Sequence, residues 1–185
     1  MIKKFNKYLS YRNNSLYLDE TSFESIKKKY STPLYCYSLS EIHNNFVELK
    51  KSFKKIKPMI CYAVKANNHN QILSLLSKSG CGADVVSKGE LKKSIDNGVT
   101  PDKIVFSGVG KTKDEIKYAL NKKIKQLNVE SEEELEEIAA IAKFEKKKVN
   151  ACIRVNPDVD PRTHYKISTG RSEDKFGIPN SRVIK

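Results

Sequence analysis

Lys65 closes the apolar run Met59-Ile60-Cys61-Tyr62-Ala63-Val64 and is followed at once by Ala66-Asn67-Asn68, where a helix can begin. A lysine at the mouth of a buried strand sits where low polarity disfavours the ammonium form and leaves the free amine available. Such an amine is a nucleophile toward carbonyl carbon and forms Schiff bases. The same position also suits a lysine whose stem lies along the strand end while its charge reaches water. With 35 Lys plus Arg in the chain, position alone does not separate the two.

Other chemistry-bearing patterns are weaker. Cys36, Cys61, Cys81 and Cys152 form no C-x-x-C pair and stand at no ligand spacing from a histidine, so neither a disulfide framework nor a metal site is expected. Ser107-Gly108-Val109-Gly110-Lys111-Thr112 ends like a phosphate loop, but that motif needs glycine where Val105 stands, and a plain strand-to-helix turn is expected instead. Ala66-Asn67-Asn68-His69-Asn70 lacks the glycines of a dinucleotide fingerprint.

The elements that must position Lys65 follow one grammar from residue 58 onward. Apolar runs at 59–64, 83–86, 103–106, 125–129 and 149–155 alternate with amphipathic segments. Four runs lead into helix-capping pairs: Asn68 with Gln71, Ser87 with Glu90, Thr112 with Glu115, and Ser131 with Glu134. Gly80, Gly98 and the vicinity of Asn121 supply helix ends. Strand ends at 65, 86, 106, 129 and 155 recur every 20–26 residues, which predicts right-handed βα units on a parallel sheet and an α/β fold. Ile42, Phe46, Leu49, Phe53 and Ile56 keep helical spacing and predict a helix before the first strand. Residues 1–38 are different. Tyr8, Tyr11, Leu16, Tyr17 and Leu18 alternate loosely, 22–29 reads as a short helix, and Thr32-Pro33-Leu34-Tyr35-Cys36-Tyr37 reads as a strand. This arm is expected to pack on something other than the βα units.

Composition narrows the classes. A hydrophobic fraction of 38% against 31% charged is an ordinary globular balance, and no apolar window is long enough to span a bilayer. The basic start Met1-Ile2-Lys3-Lys4 lacks a following apolar region, so cytoplasm is the expected compartment. The formal charge of +13 comes mostly from scattered lysine interrupted by acidic stretches such as 132–137, with no nucleic-acid-binding motif. Neither nucleic acid nor membrane is an expected partner.

Several stretches carry a resemblance when read in order. These are Thr32-Pro33-Leu34-Tyr35, Tyr62-Ala63-Val64-Lys65-Ala66-Asn67, Gly82-Ala83-Asp84-Val85-Val86-Ser87, and Ile104 through Thr112. They continue with Asn128-Val129-Glu130-Ser131, Arg154-Val155-Asn156-Pro157-Asp158-Val159-Asp160, Lys166-Ile167-Ser168-Thr169-Gly170 and Lys175-Phe176-Gly177-Ile178. Over residues 15 to 180 the chain resembles the diaminopimelate decarboxylases, a branch of the fold-type III pyridoxal-phosphate-dependent amino-acid decarboxylases.

The resemblance implies an alanine-racemase-like (β/α)8 TIM-type barrel of which about five strands are present. It assigns residues 1–38 to an otherwise missing β-sheet domain and 39–185 to an incomplete pyridoxal-phosphate-binding barrel. It implies that Lys65 is catalytic and holds the cofactor, pyridoxal 5'-phosphate, covalently. Asp84 and Arg154 would be further cofactor-binding residues. Asp84 could equally cap the next helix, whereas Arg154, inside the fifth strand, needs an anionic or polar partner. His164, Ser168, Thr169 and Gly170 would shape a loop. The implied activity is decarboxylation of meso-2,6-diaminopimelate to L-lysine, the last step of lysine biosynthesis, with an amino acid as the small-molecule partner and a homodimer as the full-length assembly. Ornithine, arginine or carboxylated-polyamine decarboxylases of the same fold, or a non-catalytic pyridoxal-phosphate barrel, are the alternatives. The chain reads as a fragment of a longer enzyme, inactive by itself.

Overall fold

The computed structural model describes residues 6–160, 162–164, 170 and 176–183, and the chain divides into two compact units, Met1–Pro58 and Met59–Lys185. The first unit opens with an antiparallel meander of β1 (Leu9–Arg12), β2 (Ser15–Leu18) and β3 (Thr21–Ser22). Asn13 and Asn14, both at positive φ, make the two-residue turn between β1 and β2, a conformation that matches strand twist and that asparagine tolerates. Ser22 caps α1 (Phe23–Lys29), and Ser38 caps α2 (Leu39–Ser52) while its hydroxyl donates to Asp19.

Two expectations fail in this unit. Residues 32–37 form no strand: Pro33 removes a ladder donor, and Tyr35 is 89% exposed. The helix stops at Ser52 instead of reaching Ile56, and of its apolar stripe Phe46 is buried whereas Leu49, Phe53 and Ile56 are exposed. Lys57, at positive φ, precedes Pro58, which excludes helical conformation at the residue before it.

The second unit is built on a parallel five-stranded sheet in chain order: β4 (Cys61–Ala63), β5 (Gly82–Val85), β6 (Ile104–Phe106), β7 (Gln126–Val129) and β8 (Ala151–Ile153). Between them run α3 (Asn70–Lys78), α4 (Lys88–Asp96), α5 (Lys113–Lys122) and α6 (Glu132–Phe144). The register aligns Ala63 with Asp84, Val85 with Phe106, Phe106 with Leu127, and Val129 with Ile153. Side chains alternate across each strand. Ala83, Val85, Ile104, Phe106, Leu127 and Val129 therefore share one face, where they are buried against Leu73, Leu91, Ile116 and Ile138 of the helices. This five-stranded parallel sheet is the α/β arrangement that the strand spacing predicts and agrees with the partial barrel that the resemblance implies.

The caps are where the strand-then-helix grammar predicts, with three shifts. His69, not Asn68, caps α3, its Nδ1 accepting from the Gln71 amide. The reciprocal box closes fully at Thr112 and Glu115, but Glu90 and Glu134 reach one residue further back, to the amides of Val86 and Glu130. Lys123 in the left-handed region ends α5, beyond Asn121. The run at 149–155 also splits: Arg154 separates β8 from β9 (Val155–Asn156), which pairs in parallel with β10 (Ile178–Pro179). Gly177 makes that pairing possible, since at φ 77° an added Cβ would lie 2.8 Å from the Arg154 carbonyl oxygen. Among the described residues no helix is long and apolar enough to cross a membrane.

Two glycines give a contrasting test of this packing. A Cβ on Gly82 would meet the Lys103 backbone oxygen at 2.3 Å, whereas one on Gly89 has its nearest neighbour at 3.8 Å. Gly82→Ala is expected to lower the urea midpoint markedly by prising β5 from β6. Gly89→Ala, inside α4, should hold or raise stability by up to about 1 kcal/mol. Equal midpoints for the two variants would contradict the tight β5–β6 approach.

Candidate active site at the strand ends

Strand β4 ends at Ala63, and the chain tightens into a short 3-10 turn, Val64–Ala66. Val64 is fully buried and anchors that turn, while the Tyr62 hydroxyl donates to the Asn67 carbonyl at 3.0 Å. Lys65 stands between these anchors at the C-terminal end of the strand. Contrary to the buried mouth expected, its side chain is exposed. Within this chain β4 pairs with β5. The Lys65 amine makes no hydrogen bond or ion pair among the described residues.

Asp84 lies in register with Ala63 on the neighbouring strand, on the face turned away from the helices. It does not cap a helix, because Ser87 does that. Its Oδ1 instead accepts from Ser107 Oγ at 2.6 Å, Ser107 Oγ accepts from Asn128 Nδ2 at 2.8 Å, and Asn128 Oδ1 accepts from Gln126 Nε2 at 2.8 Å. Three strand ends are joined by one directional row of donors. Cys61, two residues before Ala63, has its thiol pushed above the ordinary range by burial and by the nearby Asp84 carboxylate.

Arg154 is half-buried between β8 and β9, and the anionic partner it was expected to need is Glu130. Arg154 Nη1 lies 3.1 Å from Glu130 Oε1, its guanidinium sits 5.0 Å from the Phe176 ring centre, and the Glu130 carboxylate is nearly fully buried. Gly108 N–H donates to the same carboxylate oxygen at 3.2 Å. His164 is exposed, whereas Ser168 and Thr169 lie outside the described residues. Gly170 accepts from Val159 N–H at 2.9 Å.

Ser107, Asn128, Glu130 and Lys111 take part in this arrangement without having been singled out from sequence. Asn128 could have been found, being a polar residue that alternates with Leu127 and Val129 inside an apolar strand. Glu130 reads as a solvent-facing acid before a helix cap. Lys111 reads as the remnant of a failed phosphate loop, yet its ammonium is buried.

Known proteins resemble this chain in sequence and in fold. Residues 39–184 match the family described as "Pyridoxal-dependent decarboxylase, pyridoxal binding domain". Diaminopimelate decarboxylase of Aquifex aeolicus is 43% identical over 178 residues, covering 96% of this chain and 42% of that protein. The Zymomonas mobilis enzyme of the same name is 44% identical over 172 residues, covering 91% and 41%. The structure of M. jannaschii diaminopimelate decarboxylase in co-complex with L-lysine superposes with a TM-score of 0.88 at 37% identity, over 97% of this chain and 43% of that one. The chain thus spans about two fifths of the length of these relatives.

The Asp84–Cys61 proximity carries a sign that labelling kinetics can read. A raised thiol pKa means less thiolate at neutral pH, so Cys61 should alkylate far more slowly than exposed Cys152. Asp84→Asn removes the repelling charge and should speed Cys61 alkylation, though not to the Cys152 rate, because burial is the larger cause. No change in the Cys61 rate would contradict the electrostatic link.

Proposed function

The chain belongs to the pyridoxal-dependent decarboxylases, as their pyridoxal binding domain, and on that premise we propose that it supplies the cofactor lysine of a diaminopimelate decarboxylase. The reaction proposed is conversion of meso-2,6-diaminopimelate to L-lysine and CO2. The observation that carries it is Lys65: an amine with no partner among the described residues, at the C-terminal end of a strand beside a strand that bears a fixed carboxylate. Strand ends of this kind are where βα barrels build active sites. An unengaged amine fits a cofactor that must be held through its aldehyde. Relatives named diaminopimelate decarboxylase, some solved with L-lysine, support the substrate.

Pyridoxal phosphate, when bound, provides an electron sink for the pair left by a departing carboxylate. In this proposal Lys65 would hold the cofactor through its side-chain amine. Asp84 lies close by, with its orientation set by Ser107. Arg154 is kept from rotating by Glu130 and would face the cofactor side of the strand ends. Residues 1–38 would belong to a second, β-sheet domain and 39–185 to the barrel. The same reading makes the protein a cytoplasmic homodimer.

Borohydride reduction in the presence of pyridoxal phosphate, followed by peptide mass spectrometry, tests the assignment. The expected result is a stable pyridoxyl adduct on Lys65, absent in Lys65→Arg. An adduct spread over surface lysines, with none enriched at Lys65, would sink the proposal.

A further inference from the structure

Lys111 has no part in the function proposed above, although its side chain is 2% exposed in a chain whose other lysines mostly face solvent. Burying an ammonium is costly unless each of its N–H groups finds an acceptor. Lys111 Nζ meets that demand with three: the Gly108 carbonyl at 2.8 Å, the Asn128 carbonyl at 2.7 Å and Glu134 Oε1 at 3.0 Å. Glu134 is itself buried and also accepts from the Glu130 N–H.

The carbonyls that Lys111 grips belong to the two residues from which the site's polar contacts diverge. Asn128 continues through its side chain to Ser107 and so to Asp84. Gly108 continues through its N–H to Glu130 and so to Arg154. Gly108 is at φ 96°, so its loop holds a conformation that needs glycine and depends on outside contacts to stay fixed.

We propose that Lys111 is a positioning residue for the cofactor site, one ammonium that holds the Asp84 and Arg154 arms in a fixed relation. This rests on the reading of the strand ends as that site. It requires a compact head with three divergent donors. A planar guanidinium sends its donors outward in one fork and cannot serve three acceptors gathered around a point.

The test uses the protein at the length its gene encodes, loaded with pyridoxal phosphate, and reads cofactor affinity, visible-region circular dichroism and far-ultraviolet dichroism. The double variant Lys111→Met/Glu134→Leu removes the ion pair without orphaning a buried charge. It should keep the far-ultraviolet signal while cofactor affinity falls about tenfold or more and the visible band shrinks, the size expected when supporting contacts of a site are lost. Lys111→Arg, which keeps the charge and so guards against a misfolded double variant, should weaken cofactor binding as well. Folded Lys111 variants that match the parent in affinity and visible band would overturn the proposal, leaving Lys111 a purely structural ion. A parent that takes up no cofactor at all would instead overturn the site reading on which it rests.

Discussion

Side chains on a paired strand must alternate between its two faces, and the strand ends inherit their chemistry from that alternation. On β5, β6 and β7 the residues facing the helices are apolar and buried, and the intervening positions include Asp84, Gln126 and Asn128. A slip of one residue would drive those polar groups beneath the helices and turn Val85, Phe106 and Leu127 outward. The register is therefore fixed by the same hydrophobic burial that holds the unit together. Polar positions on the second face are then free to join across strands, which is how Gln126, Asn128, Ser107 and Asp84 come to form one row.

Two lysines that each follow a strand meet opposite fates. Lys65, at the end of β4, makes no hydrogen bond or ion pair among the described residues, while Lys111, in the loop after β6, spends all three donors on fixed acceptors. Nucleophilic chemistry needs the first condition and rigidity needs the second. The β6–α5 turn carrying Lys111 lies between β5 and β7, where its three acceptors converge.

Buried polar groups away from the sheet follow the same accounting. Ser94, fully buried in α4, donates to the Glu90 carbonyl, and Glu130 accepts from both Gly108 and Arg154. Each is satisfied, so each can persist in an apolar setting. Glu130 matters most among them, because it joins the end of β7 to the break between β8 and β9 where Arg154 stands.

The strands, helices and caps of the second unit could be read from sequence because period-2 and period-3.6 burial and capping pairs are local signals. Thr112 with Glu115 is the fullest case. The displaced cap at His69 and the left-handed end at Lys123 were missed, since several neighbouring polar residues can serve as well and only backbone geometry chooses among them. Residues 32–37 misled because strand-like composition creates no ladder without a partner. Lys65, Asp84 and Arg154 could be named from motifs in chain order. What tertiary structure alone decided was their company: Ser107 on Asp84, Glu130 on Arg154, and Lys111 beneath both arms. The Asp84–Ser107, Lys111–Asn128 and Arg154–Glu130 contacts join residues 17 to 24 apart in the chain. Burial and hydrogen bonding between such positions exist only once the sheet has brought its strand ends together.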